Sequence, residues 1–176
     1  MRPGIEEEYL PVTVDQIRTL RAETGAGIVD CKRALEETQG HLEKAAEILR
    51  QQGLVQAARR SDRATNQGLI EAYVHTGGRV AAMVELGCET DFVARTPEFK
   101  DLAHDIAMQV AAMAPSYLDK TDIEDGDDRP VAQVSLLQQP FIKDNSSSVA
   151  DIIQEVAVKV GENVRVLRFT RLALGE

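Results

Sequence analysis

A chain of 176 residues, 43% hydrophobic and 28% charged, has the make-up of an ordinary globular protein: one compact domain, or a small domain joined to a medium one. Lys and Arg number 20 against 29 Asp and Glu, and the net charge of −9 excludes a general polyanion binder, which needs a positive surface. Apolar stretches such as Val80–Val84 fall far short of the about 20 residues that span a bilayer, and Glu6-Glu7-Glu8 leaves no apolar core for a signal peptide, so a cytoplasmic chain free of membranes is expected.

In chain order, residues 1–11 read as an extension expected to be disordered. Residues 12–53 read as three short amphipathic helices. Val14, Ile17 and Leu20 share a helical face that Thr24-Gly25 interrupts. Ile28, Cys31, Ala34 and Leu35 keep the same spacing up to Gly40. Leu42, Ala45, Ala46 and Leu49 make a third stripe that Gly53 is expected to cap. Three such helices can bury one small shared core, which suits a docking module. Residues 54–67, basic and alanine-rich, predict an exposed helical connector. Its Arg59, Arg60 and Arg63 suit a solvated face better than a nucleic-acid contact.

From residue 68 to 176 the period changes. Gly68–His75 and Arg79–Leu86 flank Thr76-Gly77-Gly78, the signature of a β-hairpin. Gly87–Arg95 predicts a loop. Thr96 as N-cap with Pro97 then opens a helix whose buried stripe is Phe99, Leu102, Ala103, Ile106, Val110 and Met113. Residues 119–130 predict a solvated acidic loop, Asp119–Asp128 carrying six acids and one lysine. Val131–Leu137 reads as a strand. Ser148 with Asp151 opens a final helix ended by Gly161, and Asn163–Leu174 reads as a closing strand. The fold class is therefore α+β, with a hairpin, two helices and two further strands in the second domain.

Few residues suggest covalent chemistry. There is no Walker loop, no Gly-x-Gly-x-x-Gly after a strand, no nucleophile elbow and no His-Glu-x-x-His. His41, His75 and His104 are scattered, and no metal or cofactor is expected. Cys31 and Cys88 read as buried free thiols. A thiol nucleophile at Cys88, assisted by Glu89 and His75, is the enzymatic alternative. Thr90-Asp91-Phe92-Val93 admits two readings. Either Phe92 covers the end of the core while Asp91 or Thr90 caps a turn, or Phe92 protrudes as a wedge into a partner's apolar pocket with Asp91 hydrogen-bonding beside it.

Four motifs in order resemble one family. Leu20–Leu35 resembles the amino-terminal signature of elongation factor Ts, and Glu89-Thr90-Asp91-Phe92-Val93-Ala94 its central signature. Gln139-Pro140-Phe141 and Lys159-Val160-Gly161-Glu162-Asn163-Val164 are also similar. The resemblance runs from about Val14 to Leu174. It implies a ubiquitin-associated-like three-helix domain followed by an αβ core. It also implies a nucleotide exchange factor without covalent chemistry, one that binds elongation factor Tu with GDP and speeds GDP release. By the resemblance, Asp91 and Phe92 enter the partner's G domain and disturb its magnesium and phosphate site. Thr90 and Val93 flank them, and Arg21, Ile28, Val29 and Lys32 match amino-terminal contact positions. Val29 is shorter than the apolar residue usual there. Longer members carry two core halves and a helical hairpin; this chain has room for one half, so pairing of two chains through their sheets is expected. A ubiquitin-associated-like binding module without exchange activity is the alternative, and it leaves Thr90–Val93 unexplained.

Overall fold

The computed structural model describes residues 12–176, so the extension expected at residues 1–11 lies outside the described part. The chain divides into two compact units between Gln56 and Ala57.

In the first unit, α1 (Val14–Thr24) begins at Thr13, whose hydroxyl accepts from the Gln16 N–H while the Gln16 side chain accepts from the Thr13 N–H. Gly25 ends it in the left-handed region, at φ 69°. Then come α2 (Ile28–Glu37) and α3, which begins at Leu42. Leu20, Cys31, Ala34, Leu35, Ala45 and Leu49 form the shared core. The cap expected at Gly53 is absent. Helix α3 runs unbroken from Leu42 to Arg60, and there is no separate connector helix over 54–67. A mid-helix glycine costs roughly 1 kcal/mol. The helix absorbs that cost because Leu49 before it and Ala57 after it are both buried.

The second unit is built on the antiparallel hairpin of β1 (Gln67–Val74) and β2 (Val80–Cys88), with β5 (Arg165–Ala173) antiparallel on the far side of β2. Gly68 sits at φ 148°, and a Cβ there would lie 2.0 Å from the Leu86 carbonyl oxygen, so only glycine fits this crossing. Thr96 and Pro97 open α5 (Pro97–Met113), the hydroxyl accepting from the Phe99 N–H. Phe99, Leu102, Ile106 and Val110 pack with Val84 and Leu86 of the sheet and with Val149 and Ile153 of α7 (Val149–Val160). Met113, expected in the buried stripe of α5, is 45% exposed in its last turn.

The other sheet face is open. Register aligns Val74, Ala81 and Leu172 in one row, Ala72, Met83 and Thr170 in the next, and Ile70, Glu85 and Arg168 in a third. Val74, Ile70 and Leu172 are 63%, 63% and 72% exposed there.

One expectation is corrected between the two long helices. Val131–Leu137 is not a strand: it forms the turn α6 (Val131–Val134) and a short 3-10 turn at Leu136–Gln138. Its backbone pairs with residues 116–118 (Ser116 and Tyr117 N–H to Val134 O, Leu136 N–H to Tyr117 O), a stretch too short for a ladder. The second small sheet instead comes from β3 (Pro140–Phe141) and β4 (Asp144–Ser148). The acidic stretch is largely exposed and carries local turns. Asp119 caps a 3-10 turn over Lys120–Asp122, and Asp127 takes the Arg129 guanidinium and the Tyr117 hydroxyl.

Two buried glutamines fasten this segment to α5. Gln109 Nε2 donates to Gln139 Oε1 and to the Pro140 carbonyl, each at 3.1 Å, while its own oxygen accepts from the Ile142 N–H at 2.8 Å. Gln139 Nε2 donates to the Gln133 and Met113 carbonyls. Among the described residues no buried side-chain polar atom lacks a partner.

Candidate partner-binding site

The loop expected over 87–95 is a strand end followed by one helical turn. β2 continues to Cys88, and Thr90, extended at φ −127°, caps α4 (Asp91–Ala94) by accepting from the Val93 N–H at 3.4 Å. Four residues cannot hold a helix alone, because nucleation outweighs so few bonds. This turn is held by its inward side: Val93 is 9% and Ala94 8% exposed, and the Thr96 hydroxyl donates to the Val93 carbonyl at 2.8 Å. With Val93 and Ala94 closing the core, Phe92 faces outward at 77% exposure. Thr90 and Asp91 are half-buried, and Asp91 Oδ2 pairs with Arg95 Nη2 at 2.7 Å. The chain thus combines parts of both readings: Thr90 caps a turn and Phe92 protrudes.

Behind the turn lies a set of contacts that spacing could not reveal. Glu162 Oε2 accepts from the Glu89 N–H at 3.0 Å and the Thr90 N–H at 2.9 Å, and its Oε1 accepts from the Thr90 hydroxyl at 2.6 Å. Glu89 Oε1 in turn accepts from the Asn163 N–H at 2.7 Å, and Arg63 pairs with its other oxygen at 3.2 Å. The Asn163 donor, with Arg63 beside it, holds the Glu89 carboxyl below its usual range. Asn163 Nδ2 donates to the Ser61 and Arg63 carbonyls. In the sequence the two halves of this arrangement show as separate motifs, Glu89–Ala94 and Lys159–Val164, with nothing to join them.

In the first unit, Arg21 lies in the last turn of α1, Ile28 and Val29 in the first turn of α2, and Lys32 one turn further on. All four are exposed, Ile28 at 58% and Val29 at 77%, while Cys31, Ala34 and Leu35 take the buried side. Lys32 Nζ lies 3.6 Å from Glu36.

The thiol alternative loses its geometry. Cys88 is fully buried, burial and the Glu162 charge push its thiol up, and its Sγ donates to the Thr90 carbonyl at 3.1 Å. His75 stands at the opposite end of the hairpin: Cys88 pairs with Gln67, whereas the His75 N–H bonds Val80 and its ring contacts the Tyr73 hydroxyl. Among the described residues no group of three or more His, Cys, Asp or Glu could hold a metal ion, and no helix is long and apolar enough to cross a membrane.

Residues 26–127 match the family described as Elongation factor TS. The chain is 43% identical to elongation factor Ts of Carboxydothermus hydrogenoformans, over 94% of this chain and 90% of that protein. It is 44% identical to elongation factor Ts of Thermotoga neapolitana, over 95% and 99% respectively. Against the protein of the same name from Rippkaea orientalis it is 40% identical, over 94% of this chain and 79% of the relative. The first of these alignments runs to 195 positions, longer than the 176-residue chain, so that relative carries stretches with no counterpart here. With a family match over residues 26–127 and 43–44% identity to these relatives over nearly the whole chain, the chain belongs to the elongation factor Ts family.

Proposed function

We propose that this protein is a cytoplasmic guanine-nucleotide exchange factor of translation: it binds elongation factor Tu carrying GDP and speeds GDP release. The Asp91-Phe92 turn enters the G domain, where Phe92 fills an apolar pocket and disturbs the magnesium and phosphate site. The observation that carries this reading is an aromatic ring 77% exposed on a turn that is itself anchored by buried Val93 and Ala94. Exposed phenylalanine on a fixed base is costly to keep and suits an interface anchor. Thr90 contributes as the cap of the turn and Val93 as its root. Arg21, Ile28, Val29 and Lys32 form a second contact, an apolar pair between two cations that suits a helix docking onto it.

No covalent step is required. Exchange needs only that the factor bind nucleotide-free partner more tightly than the GDP form, and by linkage GDP then weakens the factor's binding by the same ratio. The test is stopped-flow release of a fluorescent GDP analogue from elongation factor Tu. Release should accelerate with added protein and saturate. No acceleration by a cooperatively folded sample would sink the exchange reading and leave a plain binding module.

A second copy of this chain is proposed to cover the open sheet face. The support is the exposed apolar side chains of Ile70, Val74, Met83 and Leu172 on that face, with β1 and β5 as the edge strands of the three-stranded sheet. Light scattering should give twice the single-chain mass, falling to one in Met83→Asp. A single-chain mass for the unsubstituted protein at working concentration refutes pairing.

A further inference from the structure

We propose that Glu162 is a positioning residue for the Asp91-Phe92 turn, fixing the direction in which Phe92 is presented; this rests on the exchange reading of that turn. Gly161, in the left-handed region at φ 74°, ends α7 and swings the next residue back toward the start of α4. There the Glu162 carboxylate meets three donors, two N–H groups on one oxygen and the Thr90 hydroxyl on the other. Only an acceptor-only group satisfies all three at once, and ionised acceptors make the stronger bonds.

The hydroxyl contact has a further effect. By donating its proton to Glu162, the Thr90 hydroxyl is left with its lone pairs directed at the Val93 N–H, the bond that closes the turn. Glu162 therefore sets the rotor of the cap. The reciprocal bond from the Asn163 N–H to Glu89 closes the pair of segments on each other. The bonds from Glu162 and Asn163 end on Glu89 and Thr90, ahead of Phe92, whereas the Val93 and Ala94 side chains reach the core without them. Loss of the carboxylate would thus leave the core packed and let the ring wander, and a displacement of an ångström in a reacting arrangement can cost about 100-fold.

The experiment uses the full chain as unsubstituted protein, Glu162→Ala, Phe92→Ala and the double variant. Two readouts are taken: GDP-analogue release from elongation factor Tu at saturating factor, and amide hydrogen exchange. Glu162→Ala should slow saturated release by about tenfold or more. Amide exchange at Glu89, Thr90 and Val93 should rise by a similar factor while Val84 in the sheet is unchanged. The double variant should be no slower than Phe92→Ala, because Glu162 acts through that ring. A merely structural role would add the two effects in full, and that additivity would overturn the proposal, as would unaltered exchange at residues 89–93. Should Glu162→Ala not melt cooperatively, Glu162→Gln carries the same comparison. It keeps the acceptor for the two N–H groups but not for the hydroxyl, so Val93 exchange should rise while Glu89 is spared. If the unsubstituted protein releases no nucleotide, the exchange reading falls, and the amide readout alone decides whether Glu162 holds the turn.

Discussion

Two phenylalanines seven positions apart should respond in opposite ways to truncation. Phe92 is 77% exposed and Phe99 fully buried. A phenylalanine side chain presents about 200 Å². Less than a quarter of that is out of water at Phe92, about 50 Å², worth about 1 kcal/mol at most at about 25 cal/mol per Å². Phe92→Ala should therefore melt within a few degrees of the unsubstituted protein, about 3 °C per kcal/mol at this size. Phe99→Ala empties the centre of the core between α5 and the sheet and should cost about 3–5 kcal/mol, lowering the melting temperature by about 10 °C or more. In nucleotide release the order inverts. An interface anchor is worth about 2 kcal/mol or more, so Phe92→Ala should weaken exchange about 30-fold or more. Phe99→Ala, assayed well below its melting point, should retain most of its activity. The assays are thermal melts by circular dichroism beside stopped-flow release at a common temperature. A Phe92→Ala protein that loses more than about 3 kcal/mol of stability would mean that the ring is packed in solution, and undiminished exchange would refute the wedge.

Three further outcomes follow from the geometry. Gly68→Ala should destabilise the hairpin by more than about 2 kcal/mol in urea unfolding, since its Cβ would lie 2.0 Å from the Leu86 carbonyl, whereas Gly77→Ala meets open space and pays only for its φ of 92°, about 1 kcal/mol. Ser148→Ala removes the cap of α7 and should cost about 1 kcal/mol near neutral pH. The Ser148 hydroxyl and N–H hold the Asp151 carboxyl below its usual value, so this stabilisation is complete above about pH 4 and is lost as pH falls through the lower folded value; the gap between variant and parent should narrow on acidification, and a constant gap would refute the coupling. Cys88, fully buried and with its thiol pushed up, should react with a thiol reagent only as fast as the protein opens, and Cys88→Ala should leave nucleotide release unchanged; loss of activity there would revive a role for the sulfur.

Where local chemistry decides, the elements are legible in the sequence. Thr96-Pro97 opened α5, Ser148 with Asp151 opened α7, and Thr76-Gly77-Gly78 turned the hairpin, each because a cap or turn is satisfied within a few residues. Gly53 misled because its cost is small beside the burial of Leu49 and Ala57 on either side of it. Val131–Leu137 differs from the expected strand because the N–H groups of Gln133, Val134 and Ser135 close a local turn on Pro130 and Val131, and only those of Leu136 and Leu137 reach the short stretch at 116–118. The pairing of Asp144–Ser148 with Pro140–Phe141 carried no alternating signal at all, since its anchor is the single buried Phe141. At the candidate site, residue types drew attention to Thr90–Val93 but left the direction of Phe92 open. Glu162 lay hidden because its partners are seventy-odd positions away, a separation at which a carboxylate has no detectable pattern.

The glutamine pair joining α5 to the segment around Pro140 has a consequence for how this part of the chain can change. A stretch with almost no ladder of its own is located by two amides that satisfy each other and three carbonyls in the dark of the core. Replacing either glutamine alone strands its partner's polar atoms out of reach of water, a penalty of about 1–3 kcal/mol. Exchanging both for apolar residues removes the amide pair but leaves the Ile142 N–H and the Pro140, Gln133 and Met113 carbonyls without those partners. Positions 109 and 139 should therefore be closed to apolar residues, alone or together, and in a mutational library two positions thirty residues apart would be depleted of the same substitutions.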